Sequence, residues 1–186
     1  ATEGLSLFYT DFDRSRISAT VIPKMGRKAV ECNALFIDGL MTSQSGKFVY
    51  GLWRPITAIN STLDDLNPGT TPEPNWGPLI PTPPYPSYPG NMACVGAVAA
   101  RALALGVGTG DVAFTVTWKG ANGNPDVTRA YANFWALAQQ EADSRIYGGI
   151  HYRFDNEASQ EVCPKVVEQA YATVMRPLHR GTAGQA

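Results

Sequence analysis

The stretch "SRIYGGIHYRFDNE", residues 144 to 157, gathers side chains of complementary chemistry. Arg145 stands six residues before His151, and Asp155 four residues after it. On an unbroken helix Arg145 and His151 would point about 240° apart. Gly148 and Gly149 lie between them and let the chain turn, because glycine reaches backbone angles that other residues avoid. A turn there can bring both side chains to one spot. Asp155 can then accept a hydrogen bond from one imidazole nitrogen, fixing the tautomer and leaving the other nitrogen for a ligand. Taken alone, the stretch reads equally well as a surface arginine and a half-buried histidine at a helix end.

A second group is "KFVYGLWRP". Lys47 and Arg54 are seven residues apart, two helical turns, and on one helix they share a face. Two cations amid apolar neighbours call for an anion, although alone the pair reads more simply as solvated charges flanking a core segment. Together, Lys47, Arg54 and Arg145 offer one point charge and two planar forks, which match tetrahedral oxyanions. A helix starting after the "PSYPGNMA" loop adds backbone N–H donors at its N-terminus. A neutral His151 supplies a nucleophile or a ligand. The combined set describes a pocket for phosphate or a phosphate-like oxyanion.

The elements that must hold these groups read as mainly α-helical. Residues 28 to 53 recur with helical spacing, with a weak point at 43 to 46 that divides them into two helices if it breaks. Pro55 then starts a new helix or ends the old one. Nine of the fourteen prolines fall between Pro68 and Pro89, so residues 61 to 91 form a long extended surface segment. A loop of that length inside a domain is usually functional or disordered. Small residues follow it (Ala93, Gly96, Ala97, Ala99, Ala100), which predicts a closely packed helix from about residue 92 to 105. Phe114, Val116 and Trp118 alternate ahead of turn residues 120 to 125, giving a hairpin or an irregular loop. A helix is expected over 128 to 147. Another runs to about 175, capped by Asp155 or Asn156, and kinks at Pro164 or begins late.

With 186 residues the chain is long enough for one domain with a real core, and 44% hydrophobic against 17% charged residues is ordinary globular composition. A net charge of −1 argues against nucleic acid as partner. No apolar run reaches membrane-spanning length, since residues 92 to 105 are cut by Arg101. The opening "ATEGLSLFYT" lacks an initiator methionine and reads as a processed N-terminus or a fragment. Cys32, Cys94 and Cys163 have no metal-ligand spacing, and buried free thiols are favoured over a single bridge.

The pattern K-x6-R-P (Lys47, Arg54, Pro55), a P-S-rich loop before a small-residue helix, and S-R-x5-H-x3-D (Ser144, Arg145, His151, Asp155) resembles the vanadium-dependent haloperoxidases. These are relatives of type 2 phosphatidic acid phosphatases and bacterial acid phosphatases. The resemblance covers roughly residues 28 to 175. It implies a helical bundle of the haloperoxidase/acid phosphatase type. The chain, 1 to 186, would form a single domain like the C-terminal, site-bearing half of longer haloperoxidases. It further implies that Lys47, Arg54 and Arg145 hold the oxygens of vanadate, or of phosphate as a substitute. His151 would be the axial ligand, or the nucleophile of a phosphatase, and Asp155 would orient it. Peroxide and halide would be the small partners. A secreted or periplasmic location goes with the same resemblance.

The middle motif departs from the family. Relatives read P-S-G-H or P-S-Y-P-S-G-H-A where this chain has Pro86, Ser87, Tyr88, Pro89, Gly90, Asn91, Met92 and Ala93. Gly90 stands in place of the oxyanion-binding serine. Asn91 stands in place of the glycine whose backbone approaches the ligand, with an amide donor that compensates in part. Met92 replaces the acid–base histidine and cannot move a proton, a loss that typically slows reactions about 10²–10⁴-fold. Two functions therefore stand side by side: weakened peroxide-dependent halide oxidation or phosphoester hydrolysis, and non-catalytic binding of an oxyanion or partner. The short length and the small-residue face of Ala93, Ala97 and Ala100 predict a homo-oligomer or a complex with a second chain.

Overall fold

Helix α3 (Asn91–Val107) is rich in alanine and glycine because three other helices crowd it: α1 (Ile22–Tyr50), α4 (Phe134–Tyr147) and α5 (Arg153–Thr173). The computed structural model describes residues 22–63, 67–120 and 124–173. A Cβ placed on Gly39 of α1 would lie 2.3 Å from Val98 Cγ2, and one on Gly96 would lie 3.2 Å from Ala138 Cα of α4. Glycine at these crossings lets the helix backbones come within van der Waals contact. The small-residue face of Ala93, Ala97 and Ala100 is thus covered by the chain's own helices, not left for a partner. Large apolar side chains are exposed on α1, at Ile37, Met41, Phe48 and Val49, and also elsewhere, as at Leu63, Leu79 and Val107.

The core is the cluster Leu35, Cys94, Val98, Ala102, Cys163 and Val167, where α1, α3 and α5 meet. Cys94 and Cys163 are bridged, with Cα atoms 5.5 Å apart. This corrects the expectation of free thiols: two cysteines 69 residues apart in sequence face each other across α3 and α5, a proximity no spacing rule contains. The side chain of Cys32 lies outside the described residues. Arg101 on α3 pairs with Glu168 on α5 at 2.8 Å. Among the described residues no helix is long and apolar enough to cross a membrane.

Helix α1 runs unbroken through residues 43 to 46, against the expected weak point. Ser43 turns its hydroxyl back onto Leu40 O at 2.9 Å, and Gly46 fits against Pro89, where a Cβ would meet Pro89 Cδ at 2.9 Å. The helix stops at Gly51, whose φ of 59° only glycine adopts readily and whose N–H bonds to Lys47 O at 2.9 Å. Arg54 is extended at the N-cap of the short α2 (Pro55–Asn60), with Pro55 starting the helix.

Residues 61 to 90 carry no helix or strand among those described, yet they are pinned along their length. Glu73 N–H donates to Ile59 O (2.8 Å), Ile80 N–H to Gly148 O (3.3 Å), Ser87 N–H to Leu52 O (2.8 Å) and Gly90 N–H to Asp155 O (2.9 Å). The hairpin forms: β1 (Phe114–Trp118) pairs antiparallel with β2 (Val127–Tyr131), Phe114 opposite Tyr131 and Trp118 opposite Val127. Its turn residues 121–123 lie outside the described set. Residues 128 to 131 are therefore strand, a correction to the expected helix start at 128. The helix begins where Asn133 caps it, its side chain accepting from Ala136 N–H at 2.8 Å. Helix α5, in contrast, begins earlier than expected, at Arg153, and continues through Pro164.

Candidate functional site

The Gly148–Gly149 break works as a turn. Gly149 has φ 75°, and Ile150 N–H bonds back to Arg145 O at 3.2 Å. The turn packs under the proline segment, because a Cβ on Gly149 would lie 3.1 Å from Pro78 Cα. It delivers His151 into the interior, 4% exposed, just ahead of α5. Asp155 is fully buried in the first turn of α5. Its Oδ2 accepts the N–H of Tyr152 at 3.1 Å, reaching back to the residue that precedes the helix as the third residue of a capping box does. The same oxygen accepts His151 Nδ1 at 2.8 Å.

The other imidazole nitrogen, Nε2, lies 3.0 Å from Arg54 Nη1. A guanidinium only donates, so Nε2 must present a lone pair, and the proton sits on Nδ1 facing Asp155. Burial lowers the His151 pKa; the Asp155 hydrogen bond opposes this, and the charges of Arg54 and Lys47 add to it. His151 is accordingly a neutral imidazole near neutral pH, with its basic nitrogen toward the arginine.

Arg54 and Lys47 flank one ring: Arg54 Cζ is 5.1 Å and Lys47 Nζ 5.3 Å from the Tyr85 centroid. Their convergence does not come from a shared helix face, because α1 ends between them at Tyr50. Arg54 reaches the site from the extended segment after Gly51. Its Nε donates to Tyr85 O (2.9 Å) and its Nη1 to Ile150 O (2.8 Å). Its Nη2 is buried with no partner. Burial lowers the pKa of Arg54, with Tyr85 and Asp155 opposing, but guanidinium stays protonated in proteins.

Lys47 differs. It is wholly buried, and Nζ donates to the carbonyls of Pro86 (3.2 Å), Ser87 (2.8 Å) and Pro89 (2.5 Å). An ammonium has three protons, and three carbonyls take them. Burial first, then the Arg54 charge, push its pKa down to about 7, with Asp155 opposing. The carbonyl cage works against that push, because three acceptors need three N–H donors.

Arg145 lies half-buried in the last turn of α4, and its Nε donates to Ser144 Oγ at 3.1 Å. The structure thus sets Lys47 and Arg54 over Tyr85, links Arg54 to His151 and His151 to Asp155, and places Arg145 in a separate hydrogen bond. Gly90 and Asn91 sit at the start of α3. Gly90 N–H is engaged by Asp155 O, and a Cβ there would lie 2.5 Å from Asn156 Oδ1. Asn91 Nδ2 donates to Tyr85 OH at 3.3 Å. Met92 is half-buried on the next position of α3.

Two residues of this group escaped the sequence reading. Tyr85 is the platform under both cations. Ser87, fully buried, donates from Oγ to Asp155 Oδ2 at 2.5 Å. The only sequence signal for either was their place in the proline-rich run, one residue to either side of Pro86 and ahead of the small-residue helix.

The site is thus a buried histidine held by an aspartate and faced by an arginine, within a bundle of helices. The chain belongs to the family described as the VCPO second helical-bundle domain, whose model matches residues 29–180. Among solved structures it is similar to the first bacterial vanadium-dependent iodoperoxidase, at 27% identity and TM-score 0.61, over 76% of this chain and 32% of that one. It is also similar in fold to an apo bacterial vanadium-dependent chloroperoxidase, at 16% identity and TM-score 0.64, over 81% of this chain and 36% of that one. The chain therefore spans about a third of the length of these structural relatives. No curated protein matches it.

Proposed function

We propose that this domain binds a tetrahedral oxyanion, vanadate or phosphate, at the partnerless Arg54 Nη2, the anion displacing Arg54 Nη1 from its 3.0 Å contact with His151 Nε2 when it engages that nitrogen. The observation that carries the reading is the pairing of a buried, partnerless donor, Arg54 Nη2, with a neutral imidazole nitrogen that presents a lone pair. One group is suited to an anionic oxygen, the other to an electrophilic centre, so the donor set fits vanadate. When bound, vanadate supplies the electrophilic centre that activates peroxide toward halide. The protein residues then have definite tasks. Arg54 balances negative charge, and His151 holds the ligand through Nε2. Asp155 keeps the proton on Nδ1. Lys47 fixes the loop through its carbonyls. Arg145, on the family resemblance, and the Asn91 amide are further candidate oxyanion donors, whereas the Gly90 N–H is already taken by Asp155 O.

The resemblance to a vanadium-dependent iodoperoxidase supports peroxide-dependent halide oxidation as the reaction. Met92 cannot act as general acid or base, so turnover should be slow, by about 10²–10⁴-fold relative to a site that has one. The test is a vanadate titration coupled to iodide- and bromide-plus-peroxide assays, on the natural chain and on Met92→His. Anion binding with slow turnover that rises at least about tenfold in the variant is expected. Binding without any turnover in either protein would favour the non-catalytic reading, which Met92 also suits; phosphoester hydrolysis without halide oxidation would favour the phosphatase reading. For assembly, a second copy or chain over Ile37, Met41, Phe48 and Val49 is the proposal, read by light scattering.

A further inference from the structure

Ser87 has every polar group engaged, and each engagement reaches a different part of the site. Its N–H donates to Leu52 O at 2.8 Å, two residues before Arg54. Its carbonyl accepts Lys47 Nζ at 2.8 Å. Its Oγ donates to Asp155 Oδ2 at 2.5 Å and stands 3.4 Å from His151 Nδ1. The residue is fully buried, so water does not substitute for these contacts.

The distribution of donors on Asp155 gives this meaning. Oδ2 receives His151 Nδ1, Tyr152 N–H and Ser87 Oγ, while Oδ1 is buried with no partner. A carboxylate can turn about its own bond and exchange its oxygens. What prevents that here is the concentration of donors on one oxygen. The Tyr152 N–H comes from the same helix start as Asp155 and moves with it. Ser87 comes from the proline-rich segment, itself clamped by Lys47, and is the donor that ties Asp155 to the rest of the site.

We infer that Ser87 is a positioning residue: it holds Asp155 Oδ2 in the orientation that accepts the imidazole proton on Nδ1, so that the Nε2 lone pair faces Arg54 Nη1. Lys47 then acts on the site through Ser87, by fixing the loop that carries it, and not by donating to the anion. This rests on reading Nε2 of His151 as the ligand-facing atom. Partners that orient a ligating histidine typically change affinity about 10–100-fold when lost.

The experiment reads the tautomer directly. This 186-residue chain has two histidines, so nitrogen-15 NMR of it, without added anion, resolves them, with His151→Gln giving the assignment. In the natural protein His151 should be the Nδ1–H tautomer. Ser87→Ala should introduce a substantial Nε2–H population and weaken phosphate binding at least about tenfold. Ser87→Thr, which keeps the hydroxyl, should restore both. If the alanine variant does not fold, Ser87→Cys, a weaker donor of similar size, should give an intermediate tautomer population. A natural protein already in the Nε2–H form overturns the inference. So does an unchanged tautomer in Ser87→Ala, or in Ser87→Cys where alanine fails to fold. The two readings separate cleanly. A shifted tautomer in the variant supports the role of Ser87 even if phosphate binds neither protein, a result that would instead sink the oxyanion site. Equal phosphate binding with an unchanged tautomer refutes Ser87 and leaves the oxyanion site standing.

Discussion

Lys47 and Arg54 lie over the same tyrosine ring, both buried, both cationic, and they end in opposite situations. Lys47 has three protons and three carbonyl acceptors. Arg54 donates to two carbonyls and the histidine and still has Nη2 without a partner. Charge and burial alone do not make a ligand-binding group; a spare donor does. A cation whose hydrogen bonds are complete is part of the scaffold, and one left incomplete in the interior is a demand for something negative.

The comparison is broken most forcefully at Lys47. Lys47→Met leaves three carbonyls of the 86 to 89 segment without donors in a dry interior, and should lower unfolding stability by about 3–5 kcal/mol in urea titrations. A change under about 1 kcal/mol would mean the cage is not structural.

Gly90 tests the crowded side of the site. Restoring a serine there in imitation of the family pattern meets Asn156 Oδ1 at 2.5 Å and Asp155 O at 3.2 Å from the new Cβ. Gly90→Ser should therefore destabilise by about 1–3 kcal/mol, and a variant as stable as the parent would show that Asn156 yields freely.

Glu141 sharpens the contrast from the acidic side. Burial raises its pKa to about 7, with Arg145 opposing. The ordinary value is 4.5, so the folded protein binds the extra proton between those limits. Stability is then full below about 4.5 and falls as pH rises through about 7. Glu141→Gln should raise stability at pH 8 by about 1–2 kcal/mol and change it little at pH 4.5. Equal effects at both pH values would show that the carboxylate is not strained by burial.

The helical class and the hairpin were legible because periodicity and turn residues are local signals. The start of α4 is hard to place from sequence because the Val127–Tyr131 strand borders a helical pattern without a break, and its one local mark is Asn133 as cap. The continuity of α1 is not legible locally, because what calls for a glycine at 46 is the close approach of Pro89, far along the chain. At the site, residue types pointed to Lys47, Arg54, His151 and Asp155. The reason offered for the first two, a shared helix face, was not the one the fold uses. Ser87 lies 68 residues from Asp155 and 64 from His151, and no pattern within its own segment announces that contact.

The most direct test of the difference between the two cations is calorimetric titration of phosphate and vanadate into the natural protein and Arg54→Ala. The account predicts binding by the natural protein and a loss of about 10–100-fold in the variant, the value of charge-assisted hydrogen bonds from one guanidinium. No binding at millimolar anion, or equal binding by Arg54→Ala, would contradict it.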